Sequence, residues 1–406
     1  MFAIYLLVVL LLIMFVTIYR ESQIKTKRCS VAVNRPQSCR MVIAAGAMLG
    51  TGMNKLGPLH SRAIPNNRIH RVFGIENAFT STDVKYVEQF VGLARRLVNL
   101  KPSDWERLSQ VTFEALQRWL VGSSSIHLES LIQVLSLRAT LLALSKFSDP
   151  RLCQVRDTDI LDLARAINHT WISSKRGEER PFAENHILQA SIQAIFLDRD
   201  LRTPKDNPLN LIIPGFETLW RVVLRGYVEI GFLAGRQHPE WRQMLAAFAQ
   251  GPTREQFLWK HGEDSISCED LVNEVLRLYP PTRRIHRTYK SDMAAKSIGM
   301  AADLEACHRL NEIWGTDAMD YDPRRWRRLE KAQKEAFMPF GSTPFECPAR
   351  PIFGPRIIGL LIGTLFREIC GDWVLKLHGR GFPDPSVPIK RLSNERSALS
   401  EAYLSR

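Results

Sequence analysis

The sequence predicts a mainly α-helical chain with small β-sheets, carried on one membrane-spanning helix at its N-terminus. Three observations lead there: an uncharged apolar run over residues 2 to 19, apolar residues recurring at helical spacing through most of the remaining chain, and strand-like stretches that are few and short.

The N-terminal run, FAIYLLVVLLLIMFVTIY, is about as long as a bilayer crossing requires. No charge precedes it and Tyr19-Arg20 closes it, whereas a cleaved signal peptide has a basic start, a shorter apolar region and small residues at the cleavage site. Residues 1–20 therefore read as a signal-anchor. Arg20, Lys25, Lys27 and Arg28 follow it, so the positive-inside rule places the body on the cytoplasmic side. The sequon Asn168-His169-Thr170 then never meets the glycosylation machinery.

Residues 21–75 read as an irregular linker and a rebuilt N-terminal lobe, because Pro36, Pro58, Pro65 and the stretch AAGAMLGTGMNKLG interrupt any long helix. Helical periodicity begins at Asp83 to Asn99 behind the capping candidate Thr82. It continues through Asp104 to Val121 and Ile126 to Leu144. Further helices are predicted around 157–174, 186–198, 207–234, 239–250, 267–279 and 355–370. No internal repeat appears.

With 45% apolar and 24% charged residues, the composition favours neither disorder nor a multi-span membrane protein. The formal charge of +13 suits an anionic membrane or an acidic partner protein better than nucleic acid, since no basic stripe interleaved with aromatics stands out. The cysteines, at 29, 39, 153, 268, 307, 347 and 370, are scattered singly without a CxxC pair. That argues for reduced thiols rather than a disulfide framework or a zinc site.

Four segments carry chemistry. Phe337 to Arg350, FMPFGSTPFECPAR, is a loop that ends in a cysteine just before an apolar helix, where backbone N–H groups and the helix dipole favour a thiolate. Glu274 and Arg277 lie at i and i+3 on one face of an apolar helix that Pro280-Pro281 stops, a spacing for a buried pair. Asp322-Pro323-Arg324-Arg325-Trp326 precedes the cysteine loop. In Pro214-Gly215-Phe216-Glu217-Thr218 a proline opens the helical ladder and glycine allows close approach by a ligand, with an acid and a hydroxyl following.

In this order the segments resemble the cytochrome P-450 family, over residues 207 to 370. The resemblance implies a haem-thiolate monooxygenase domain over residues 76–406, with haem b bound through Cys347 as the axial iron ligand. Phe340 and Gly341 stand at the family's positions before that cysteine. Glu274 and Arg277 match the Glu-x-x-Arg pair, and Arg325 the arginine that completes its structural triad. Glu217 and Thr218 match the proton-delivery residues, and Arg287 an arginine that pairs with a haem propionate. His308-Arg309, Trp314-Gly315 and Tyr321-Asp322-Pro323 look like fungal microsomal members.

Four departures stand out. Phe345 occupies a position where the family usually has Arg or His for a propionate, and Thr343 one where glycine is usual. Pro214 replaces a small residue, and the family's Trp-x-x-x-Arg helix is not recognisable. Whether Arg350, another arginine or looser binding takes over the propionate contact stays open at this level.

The function implied is oxidation of a small, largely apolar molecule at the endoplasmic reticulum membrane, as in fungal secondary metabolism. A thiolate ligand favours O–O cleavage. The chain has no nucleotide fingerprint, so electrons are expected from an NADPH-dependent flavoprotein reductase, with a b-type cytochrome as a second candidate donor. Two alternatives remain: a haem-thiolate isomerase or dehydratase needing no reductase, and a haem-free membrane-tethered binding protein.

Overall fold

Why these residues form helices is visible at their first turns. The computed structural model describes residues 31–46, 54–178, 180–290, 297–369, 371–383 and 392–406; the apolar run at 2 to 19, Cys29 and Cys370 lie outside them. The long helices are α1 (Pro36–Ala44), α2 (Pro58–Phe73), α3 (Val84–Val98), α4 (Pro102–Leu120), α5 (Leu128–Ser145) and α6 (Asp157–Arg176). They continue as α7 (His186–Ile195), α8 (Leu209–Phe232), α9 (Pro239–Gln250), α10 (Cys268–Leu278) and α11 (Phe353–Glu368). Asp83, not Thr82, caps α3, its Oδ1 accepting from the Tyr86 N–H at 3.1 Å. Ser267 and Asp270 form a reciprocal capping box on α10.

α5 is mostly apolar, though it carries Glu129, Gln133 and Arg138, and is buried along nearly its whole length, which makes it the central helix of the core. It is apolar and long enough to cross a membrane, but 89% of it is buried inside the protein. α8 lies across it and also packs on α10 and α11, while α9 packs along α11.

Two small sheets flank the helices. In the first, β1 (Val31–Val33) runs parallel to β4 (Ile298–Asp303), which pairs antiparallel with β3 (Arg284–Tyr289), Arg287 opposite Met300. In the second, β2 (Ser125–His127), β7 (Ala402–Ser405), β5 (Val374–Leu377) and β6 (Arg380–Gly381) are antiparallel neighbours in that order.

The irregular reading of residues 30 to 75 is corrected here: they contain β1, α1 and α2. Pro65 inside α2 costs the helix one hydrogen bond. Tertiary contacts compensate: Ser61, Arg62, Ala63, Val72 and Phe73 are buried, and the Ser61 hydroxyl donates to the Thr288 carbonyl at 2.7 Å.

Candidate functional site

Glu274 and Arg277, one turn apart on α10, are both fully buried and joined by two hydrogen bonds, Nε to Oε2 at 2.8 Å and Nη2 to Oε1 at 2.7 Å. Arg325 reaches the same carboxylate, donating from Nε to Oε1 at 2.8 Å. The Trp326 indole N–H and the Asp322 backbone N–H, each at 3.0 Å, complete its shell. Arg277 spends its remaining donors on the carbonyls of His308, Ala318 and Asp320. Buried charge is tolerable on these terms, because each ion is paired and its remaining hydrogen-bonding capacity is used.

His308 extends this network to the cysteine loop. Its Nδ1 faces the Arg277 carbonyl at 3.2 Å, and its Nε2 accepts from the Met338 N–H at 3.0 Å, which defines a neutral ring protonated on Nδ1. Burial, reinforced by the Arg277 charge, pushes the imidazole down to about 3. No local pattern in the sequence points to this bridge.

The loop itself closes on backbone bonds. The Cys347 N–H donates to the Phe340 carbonyl at 2.9 Å, the Phe345 N–H to Ser342 at 2.9 Å and the Gly341 N–H to Met338 at 3.0 Å. Gly341 sits at φ +75°, a left-handed conformation that suits glycine. The expected thiolate stabilisation is only partly present. The Ala349 N–H bonds to the sulfur and lowers the Cys347 pKa, but burial outweighs it and pushes the thiol up. Helix α11 begins at Phe353, six residues after Cys347. Cys268, by contrast, is buried at the start of α10, its thiol facing the Met244 carbonyl at 3.6 Å and pushed up to about 12 by burial.

Phe345 is not isolated from cations. Arg62 of α2 and Arg287 of β3 both lie over its ring, 4.2 and 5.1 Å from the centroid. Arg287 donates to the carbonyls of Ile43 and His286. Arg62 is 6% exposed, and its Nε and Nη2 find no partner. Burial lowers Arg62 to about 10 and, with Arg62 adding repulsion, Arg287 to about 9. Among the described residues no carboxylate pairs with either. Arg350 is instead exposed and paired with Glu346.

On α8 the proline notch is filled by protein. The Asn210 carbonyl, which would bond the missing N–H of Pro214, accepts from Asn77 Nδ2 at 3.1 Å. A Cβ on Gly215 would come within 2.9 Å of Thr140 Cγ2, so this glycine lets α5 approach rather than a ligand. Glu217 is buried and ion-paired with Arg396 of the C-terminal segment through Oε1, leaving Oε2 without a partner. Thr218 follows it, half-buried. Arg396 was not foreseeable from the sequence, lying far from Glu217 along the chain.

Comparison with known proteins matches residues 268–355 to the family described as Cytochrome P-450. A cytokinin hydroxylase of Arabidopsis thaliana is 33% identical over 87 residues, 20% of this chain and 17% of that protein. A cytochrome P-450 of Trigonella foenum-graecum is 22% identical over 348 residues, 70% of this chain and 60% of its own length. A benzoate 4-monooxygenase of Aspergillus niger is 42% identical over 106 residues, 25% of this chain and 19% of that protein. The chain thus spans less than two thirds of the length of each of these relatives. In three dimensions the crystal structure of a 6-coordinated cytochrome P-450 from Thermus thermophilus shares the fold. Its TM-score is 0.56 at 15% identity, covering 83% of this chain and 84% of that one.

Proposed function

We propose that this chain, a member of the cytochrome P-450 family, whose cofactor is a haem held by a cysteine thiolate, is a haem-thiolate monooxygenase with Cys347 as the iron ligand. One observation carries the assignment: the Cys347 loop lies beside two buried guanidiniums, Arg62 and Arg287, that have no carboxylate of their own among the described residues. A haem brings two carboxylates. The residues fit that group, Arg62 with its orphaned Nε and Nη2 taking the role that Phe345 cannot.

When bound, a thiolate-ligated iron supplies the activation of dioxygen and the oxidation of unactivated carbon. This chain's residues prepare the surroundings. Arg396 holds Glu217 by Oε1 and leaves Oε2 available for a water, and the Thr218 hydroxyl lies on the next residue to relay its proton into the pocket. The Glu274–Arg277–Arg325 network and His308 hold the cysteine loop against α10.

The relatives' names, a cytokinin hydroxylase and a benzoate 4-monooxygenase among them, support oxidation of a small organic molecule. One of these relatives is fungal, and the proposal includes a fungal origin and a place in secondary metabolism. The proposal includes an anchor at residues 1–20, a cytoplasmic body over 76–406 at the endoplasmic reticulum, and electrons from an NADPH-dependent flavoprotein reductase, with a b-type cytochrome as an auxiliary donor.

The carbon-monoxide spectrum of the reduced protein tests the centre. Wild type is expected to show the thiolate-type band and reductase-dependent oxidation, and Cys347→Ala to lose both while Cys268→Ala and Cys307→Ala keep them. A thiolate-type band surviving in Cys347→Ala overturns the assignment. Turnover without reductase or dioxygen would instead favour an isomerase or dehydratase.

A further inference from the structure

A second group of cations, of which Arg221 is buried, Arg68 and Arg396 half-buried and Lys175 exposed, lies away from the Cys347 loop. Trp171 of α6 has three of them around its ring: Arg396 at 5.4 Å, Arg68 of α2 at 5.5 Å and Lys175 at 5.9 Å from the centroid. Arg221, one turn beyond Glu217 on α8, joins them and repels Arg396 and Lys175. Lys175 lies exposed at the edge of the group, where partial desolvation and then Arg396, Arg68 and Arg221 lower its pKa. Glu217 is paired with Arg396, while Glu129, Glu305 and Glu395 act on Arg396, Arg221 and Lys175 from farther away. Of these four cations, Arg396 is the one with an ion-pair partner within 4 Å among the described residues.

The hydrogen-bonding inventory is equally one-sided. Arg221 is 9% exposed, and its Nε has no partner; the indole Nε1 atoms of Trp171 and Trp220 are likewise buried and unpartnered. Unmet donors inside a protein are costly, and what they lack is an acceptor. The cluster also reaches the proposed haem site. His286, next to Arg287 on β3, is pushed down by burial and by repulsion from Arg284, Lys175, Arg287 and Arg68.

We propose that this cluster binds the carboxylate of the substrate: Arg68, Lys175 and Arg221 hold the anion, Trp171 and Trp220 flank its organic part, and the substrate class is an organic acid. The proposal rests on the haem-monooxygenase reading and narrows it. It differs from the purely apolar substrate that the sequence suggests. An anion here pairs with Arg68, Lys175 and Arg221, which have no ion-pair partner among the described residues, and can accept from the Arg221 Nε; a neutral ligand leaves these charges unpaired.

The test uses the haem-loaded, full-length protein and four acids, phenylacetate, 4-phenylbutyrate, octanoate and dodecanoate, each against its methyl ester, with affinity read from the change in the haem absorption band and by calorimetry. At least one acid is expected to bind on the order of tenfold more tightly than its ester, one charge-assisted hydrogen bond being worth about that factor. Arg68→Gln and Lys175→Gln should each remove most of that preference while haem content and the carbon-monoxide spectrum stay as in wild type. Lys175→Arg should restore it. If no acid is preferred over its ester, the proposal fails. Loss of haem in Arg68→Gln or Lys175→Gln would overturn it differently, by showing that these cations serve the cofactor's carboxylates. Absence of a thiolate-type spectrum in wild type would instead fail the monooxygenase reading beneath it.

Discussion

The two charged interiors of this protein are built on opposite terms. Around α10, Glu274 and Arg277 are fully buried, yet every partner they need is supplied by the chain itself. Between α2, β3 and the cysteine loop, Arg62 and Arg287 are almost as buried but meet only a phenyl ring and backbone carbonyls among the described residues. A charge that the protein satisfies completely holds structure together. One that it buries and leaves unpaired destabilises the fold until something else pairs it, which places ligand binding where stability has been given up.

The first way to break this comparison gives the largest effect. Glu274→Ala strands Arg277 and Arg325, and Arg277→Ala strands Glu274, each expected to cost about 3–5 kcal/mol and with it most of the yield of folded protein. Chemical denaturation of wild type and both variants measures this. Normal stability in both would show that the network is dispensable.

Arg62→Leu should behave in the other way. Its stability without haem is expected to stay within about 1 kcal/mol of wild type or to rise, because an unpaired buried charge has been removed. Haem should leave on the order of tenfold faster, as one charge-assisted contact is lost. Transfer of haem to an excess of a haem-scavenging globin measures the second effect, and an unchanged rate would remove Arg62 from the site.

The smallest effect is in pH dependence. His308 is held neutral with its pKa at about 3, below the ordinary value of 6.5 that it regains on unfolding. The unfolded state therefore binds the extra proton first. The stability this residue contributes is complete above pH 6.5 and is lost progressively as pH falls toward 3. Between pH 6.5 and 5.5 wild type should lose about 1 kcal/mol more than His308→Gln does, this being close to one proton's worth per pH unit. Parallel pH profiles of the two melting curves would place the acid sensitivity elsewhere.

Much of this was legible along the chain, and for physical reasons. A helix's period and its caps are local, so the ranges read for α6, α9 and α10 lie within a few residues of those observed. The i, i+3 spacing of Glu274 and Arg277 is enough to put both groups on one helix face. Local signals failed where a proline was taken as a break: Pro65 lies inside α2, which tertiary packing holds together.

By itself, then, the sequence determined the helices, the cysteine loop and the pairing of Glu274 with Arg277, because each depends on residues a few positions apart. Only the tertiary structure decided that Arg62 stacks on Phe345, that Arg396 holds Glu217, and that Arg68 and Arg396 come to Trp171. These contacts join segments far apart in the chain, brought together when α2, α6, α8 and the C-terminal segment pack around a shared core. No periodicity records such encounters, since what selects them is the burial of charge in three dimensions.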